Sequence, residues 1–342
     1  MTPGPATSRY SRQVLFSKVG KEGQERLGRA KVLIVGCGAL GSHLAETLVR
    51  AGVGHLTLID RDFVELSNLQ RQALFDERDA ALGLPKAEAA QRHLTEINSE
   101  VEIRAVVEDF GPRNAERIAS GFDLFLDGTD NMETRYVLND VAVKSGTPWV
   151  YGGVIGTAGM VMPIRPGDGP CLTCLFPDPP GPGELPTCDT VGVLGPAVSV
   201  VAALESIEAL RCLTGERGRP PGLIQFDLWT GEFQRLPIAR DPDCPTCRAR
   251  SFRYLTAERT NWVTTLCGRN AVQITPPEDQ AIDLVRLGAS LAGHGRLRDT
   301  GYYLRFAVEG VEMNIFPDGR VILTGTSDPA LARTLHARYI GS

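Results

Sequence analysis

The chain has 342 residues, room for one large core or for a large core and a small second domain. Its 42% hydrophobic and 23% charged content is that of an ordinary globular protein, and a net charge of -5 argues against a dedicated nucleic-acid binder. No apolar run approaches the ~18 residues of a membrane helix, and residues 1–11 lack the apolar centre of a secretory signal, so a cytoplasmic protein with no membrane contact is expected.

Residues 31–36 (KVLIVG) form a short β-branched run ending at glycine, which predicts a buried parallel strand. A helix over 42–51 and a strand over 55–60 complete a β-α-β unit that opens a doubly wound sheet. Further on, the pattern predicts helices over 86–98, 132–145 and 191–214, and strands over 101–107, 122–126, 148–151, 161–164 and 223–227. The Pro- and Gly-rich stretch 163–186 predicts an exposed crossover loop, about 165–190, with no regular element. Beyond residue 255 a β-α-β-β-β-α order is expected, with strands over 271–274, 302–308, 312–316 and 321–325 and helices over 277–292 and 328–339. The fold class is therefore α/β, a Rossmann-like mostly parallel sheet in a domain of residues 1–250, plus a small α+β domain over 255–342.

Gly36, Gly38 and Gly41 form a G-x-G-x-x-G loop between a strand and a helix, where backbone N–H groups and the helix dipole attract phosphate. Asp60 ends the second strand, placed to accept ribose hydroxyls. By itself this fits NAD as well as ATP, or a tight turn with no ligand. The polar set Ser67-Asn-Leu-Gln-Arg-Gln72 favours nucleotidyl transfer, where charge builds on the α-phosphate and pyrophosphate, although alone it would read as a solvated loop.

The cysteines add a second signal. Cys171-x-x-Cys174 and Cys244-x-x-Cys247 together can give four thiolates to one structural zinc, whereas a lone pair could be a redox site.

Arg9-Tyr-Ser-Arg-Gln13, the glycine loop, Asp60, residues 67–72, Lys86, Asp127-Gly-Thr-Asp-Asn131 and the two cysteine pairs resemble, in unbroken order over about residues 8–250, the ThiF/MoeB family of adenylyltransferases that activate ubiquitin-like proteins. The resemblance implies ATP-dependent adenylation of the C-terminal carboxylate of a Gly-Gly-ending sulfur carrier, with sulfur from a donor protein then giving a thiocarboxylate for thiamin, molybdopterin or tRNA thiolation. It implies that Asn68, Arg71 and Lys86 bind the triphosphate and that Asp130 holds Mg2+. It also implies that Arg12 reaches the partner's ATP site in a homodimer. Cys188 matches the family cysteine that can join the carrier covalently, a step not used by every member. Ala39 departs from the family's usual second glycine. An NAD(P)-dependent oxidoreductase, a non-catalytic scaffold and a tRNA-modifying dehydratase relative are the alternatives. The C-terminal region has no rhodanese-like cysteine loop; it loosely resembles half of a TATA-binding-protein repeat, without a basic face for DNA.

Overall fold

The computed structural model describes residues 9–179, 191–216, 222–256, 263–266, 270–275 and 281–340. They divide into two compact units, Met1–Ala81 with Pro85–Ala257, and Leu82–Leu84 with Glu258–Ser342.

The first unit opens with helices α1 (Ser11–Leu15) and α2 (Gly20–Leu27), then β1 (Lys31–Val35), α3 (Ala39–Ala51) and β2 (His55–Ile59). A 3-10 turn, Leu66–Asn68, leads to α4 (Glu77–Leu82), α5 (Lys86–Ile97), β3 (Glu102–Val106), α6 (Ala115–Ile118), β4 (Leu124–Asp127) and α7 (Met132–Ser145). Then follow β5 (Trp149–Ile155), β6 (Ala158–Ile164), α8 (Leu172–Leu175), α9 (Gly195–Leu213), β7 (Leu223–Asp227), β8 (Glu232–Leu236) and α10 (Arg253–Thr256).

The eight strands form one sheet in the order β3-β2-β1-β4-β5-β6-β7-β8. The first five are parallel and β6, β7 and β8 are added antiparallel, β5–β6 and β7–β8 as hairpins. β1 and β4 are apolar at nearly every position because helices cover both faces of the parallel half. Strand order reverses between β1 and β4, so the crevice for a ligand opens at their carboxyl ends.

Several expected elements are corrected. α3 starts at Ala39 and not residue 42, because Gly38 is its N-cap; Gly52, at φ 80°, ends it. The Pro/Gly stretch does hold regular structure: Pro163 lies within β6, and α8 is capped by Cys171 and contains Cys174, with Leu172 and Thr173 buried. The cysteine cluster organises that segment despite its composition. Residues 180–190 of the expected crossover loop lie outside the described residues.

The second unit has a six-stranded antiparallel sheet in the order β11-β12-β13-β14-β10-β9. Its elements are β9 (Val263–Leu266), β10 (Ala271–Ile274), α11 (Leu284–Leu291), β11 (Arg296–Asp299), β12 (Leu304–Val308), β13 (Val311–Ile315), β14 (Val321–Thr324) and α12 (Pro329–Tyr339). Leu304, Phe306, Met313, Ile315, Val321 and Leu323 pack with Leu291 and Leu335 from the two helices. The expected strand order lacked β9 and β11; β11 (RLRD) is mostly exposed and shows no apolar alternation. The expected helix over 277–292 is shorter among the described residues, because its N-cap is Asp283, whose carboxylate accepts the Arg286 N–H.

Candidate active site and metal centre

The carboxyl ends of β1, β2 and β4 are laced together. Gly36 N–H donates to the Ile59 carbonyl and Gly128 N–H to that of Val35, each at 2.8 Å. A Cβ on Gly36 or Gly128 would collide with the other residue's carbonyl, and one on Gly41 would strike the Gly36 carbonyl. Glycine is needed here for close backbone approach, and Gly36 also takes φ 90°. Gly38 is different: only Gln72 Nε2, at 3.8 Å, faces the position of its missing Cβ. No side chain caps the N-terminus of α3, so the first-turn N–H groups of this 13-residue helix are left for an anion.

Asp60 fixes this loop. Its carboxylate accepts the Cys37 N–H at 2.6 Å and the Asp62 N–H at 2.7 Å, and keeps lone pairs for hydroxyl donors. Burial raises its carboxyl above the ordinary carboxylate value, while Lys86 pulls it down.

Lys86, the first residue of α5, is buried, with Nζ 3.2 Å from Asp62 Oδ2. It is not a helix-start surface charge. Asn68 is buried, its side-chain oxygen accepting the Glu65 N–H at 3.1 Å. Arg71 Nη1 donates to the Ser67 carbonyl at 3.0 Å. Asp130 is exposed just beyond β4, next to Asn131, which caps α7.

Glycine loop, Asp60, Asn68, Arg71, Lys86 and Asp130 thus belong to segments that meet at one edge of the sheet. Arg12 does not join them. Its helix packs at the other end of α3, where Gln13 Nε2 donates to the Ala51 carbonyl at 2.9 Å, about 18 Å along the helix from the glycine loop. Cys188 lies outside the described residues.

Sequence reasoning missed a buried knot behind the segment 127–130. Arg135 Nε donates to Asp127 at 2.8 Å, and its Nη2 donates to the carbonyls of Thr129 (2.9 Å) and Gly152 (2.8 Å). The other Asp127 oxygen accepts the Thr129 N–H and hydroxyl. Arg135 also stacks over the Tyr151 ring. An arginine on a helix gives no sign of this in sequence. Gln72 and Asp62 stood inside or beside the motifs without a role assigned to either.

Cys171, Cys174, Cys244 and Cys247 lie with all sulfurs within 4.8 Å of one another. The Sγ–Sγ distances are 4.0 Å (171–174), 3.7 Å (171–244) and 3.6 Å (174–247), close to the ~3.8 Å edge of a tetrahedron with ~2.3 Å zinc–sulfur bonds. Arg240 Nε points at Cys247 Sγ from 3.4 Å, a positive outer contact suited to a thiolate-rich centre. The four-cysteine cluster therefore fits zinc. It sits away from the nucleotide edge, since β6 ends at Ile164 opposite Trp149, the first residue of β5.

An uncapped helix terminus flanked by a buried lysine, on a doubly wound sheet extended by antiparallel strands, fits a nucleotide-binding domain of the nucleotidyltransferase kind. The ThiF family model matches residues 10–246, and the chain belongs to that family. The chain is 41% identical to the sulfur carrier protein ThiS adenylyltransferase of Bacillus subtilis, over 98% of this chain and all of that protein. It is 42% identical to a sulfur carrier protein adenylyltransferase of Thermus thermophilus, over 70% of this chain and 90% of the relative. Among solved structures, E. coli MccB with AMPCPP and MccA aligns at a TM-score of 0.64 and 24% identity, covering 71% of this chain and 74% of MccB. That likeness concerns the fold.

Proposed function

We propose that this protein uses ATP to adenylate the C-terminal carboxylate of a small ubiquitin-like sulfur carrier ending in Gly-Gly. The observation that carries the reading is Lys86, a cation buried beside Asp62 and Asp60 at the edge where α3 offers its free N–H groups. Hydride transfer has no use for it. Attack on an α-phosphate does, because negative charge grows on the phosphorus oxygens and the departing pyrophosphate. The B. subtilis relative, similar over its whole length, points to a sulfur carrier as the acid.

In this reading Gly38 and Gly41 line the phosphates, Asp60 holds the ribose, and Asn68, Arg71 and Lys86 take the triphosphate. Asp130, an exposed carboxylate, binds Mg2+. The carrier carboxylate attacks the α-phosphate, releasing pyrophosphate and leaving an acyl-adenylate; sulfur from a donor protein later displaces AMP. Cys188 is the candidate for a covalent link to the carrier. Zinc in the four-cysteine cluster ties the chain after β6 to the chain after β8. Arg12, exposed and away from its own glycine loop, would serve the other subunit of a homodimer. The work is cytoplasmic.

The carrier needs a landing place at the same edge. Gly156, in the β5–β6 turn, exchanges backbone hydrogen bonds with Gly192 and Leu194, and Leu228 N–H donates to Thr157. This gathers Val191, Leu194, Leu228 and Trp229, exposed by 59, 48, 40 and 81%, beside the end of the crossover segment. Such an apolar patch suits the face of a small folded carrier.

ATP–pyrophosphate exchange tests the proposal, run with each small Gly-Gly-ending protein of the same genome. Exchange above background with one of them is expected; background exchange with all of them sinks the proposal.

A further inference from the structure

α9 carries a carboxyl that the chemistry above does not use. Glu205 is fully buried, and among the described residues neither of its oxygens has a hydrogen-bond partner. The carboxyl lies directly over Gly152 of β5, where any Cβ would overlap it. Gly152 is also gripped from the side: its carbonyl accepts Arg135 Nη2, and its N–H points at Asp127 Oδ2 from 3.4 Å. Glu205 thus adjoins the knot that holds Thr129 and leads into Asp130.

The charged groups acting on Glu205 are Asp127 from β4 and Arg135 from α7, with the Tyr151 hydroxyl on β5 also near. β6 has no titratable side chain to add. Two carboxylates beside one guanidinium in a dry pocket do not both ionise cheaply. Asp127 has three donors within 3.0 Å. Glu205 has none.

We infer that Glu205 is kept as a neutral acid and is a positioning residue for the phosphate site, bracing Gly152 so that Arg135 stays on Asp127 and the Thr129 carbonyl. Burial first, and then Asp127, push its carboxyl well above the usual carboxylate range. An ionised Glu205 would compete with Asp127 for Arg135 and loosen the segment that presents Asp130. The part of this inference that concerns Asp130 rests on the adenylation reading; the protonation state does not.

The test separates the two. Because the folded-state carboxyl binds its proton more tightly than the unfolded one, the stability it confers is complete below the unfolded pKa of ~4.3. It is lost as pH rises toward the raised folded value. Glu205→Gln, neutral at every pH, escapes that loss. Thermal unfolding of the full chain from pH 5.5 to 8 is expected to show wild type falling progressively below Glu205→Gln, its unfolding constant worsening relative to the variant by up to ~10-fold per pH unit. A constant difference across that range overturns the neutral acid, whatever the enzyme activity. In ATP–pyrophosphate exchange at pH 7, Glu205→Gln is expected within twofold of wild type, and Glu205→Ala to show an ATP or Mg2+ KM raised about tenfold. Loss of exchange in Glu205→Gln with folding intact, or unchanged KM values in Glu205→Ala, overturns the positioning role.

Discussion

Replacing Lys86 with methionine separates what a buried cation does for stability from what it does for phosphate. The pair with Asp62 is short, 3.2 Å, with side chains only 4% and 17% exposed. At an effective dielectric near 20, Coulomb's law gives about 5 kcal/mol of attraction, most of it offset by desolvation of both groups. Removing the lysine alone leaves Asp62 beside Asp60 with the more distant Arg61, at 4.0 Å, as a cation partner, a loss of about 2–3 kcal/mol, or roughly 4–12 °C in the midpoint of a unit this size. Activity should suffer separately. One preorganised positive group at a developing charge is worth about 10²–10³ in rate, so exchange should fall by that factor. The double variant Lys86→Met with Asp62→Asn removes the under-compensated charge, and its midpoint should recover most of the loss while exchange stays low. Thermal shift and exchange on wild type, the two single variants Lys86→Met and Asp62→Asn, and the double variant decide the matter. If the double variant regains activity along with stability, Lys86 merely shields Asp62, and the phosphate role is refuted.

Three further outcomes follow from the geometry. Purified protein should hold about one zinc per chain, and Cys244→Ser should lose metal and stability together; no metal with four titratable thiols would rule the centre out. Trp229→Ala should raise the KM for carrier about tenfold, given the weight of a central aromatic anchor, and leave that for ATP unchanged; a shift in both would place Trp229 elsewhere in the scheme. Mixing inactive Arg12→Ala with inactive Lys86→Met should restore about a quarter of wild-type exchange, since half the dimers of a statistical mixture are hybrids with one intact site. No recovery despite verified subunit exchange would remove Arg12 from the partner's site.

Much of the nucleotide edge was legible because its signals are local. A β-branched run, three spaced glycines and an acid at the end of the next strand each act within a few residues, and β1, α3 and β2 follow them closely. The cysteine pairs are local too, and their spacing, together with the family resemblance, suggested that they would meet. Glu205 and Arg135 were not legible, because their importance arises from neighbours 53 and 17 residues away from Gly152, in one direction and the other. Exposed edge strands also escaped: β8 (EFQRL) is open to solvent at four of five positions and so has no burial period to read. Composition misled at residues 163–186, where proline and glycine promise a plain loop and the sulfur cluster imposes a helix.

The two cysteine pairs are 73 residues apart, so a metal bound there closes a ring that contains α9, β7, β8 and the crossover segment. On chain-entropy grounds such a cross-link takes about 4 kcal/mol of freedom from the unfolded chain. The exposed apolar patch around Trp229, proposed to meet the carrier, and Glu205 both lie inside this ring, while the glycine loop, Asp60 and Lys86 stand outside it. Metal bound there would therefore act on both sides of the proposed site: zinc removal should loosen the apolar patch offered to the carrier directly and the hold on ATP through Glu205.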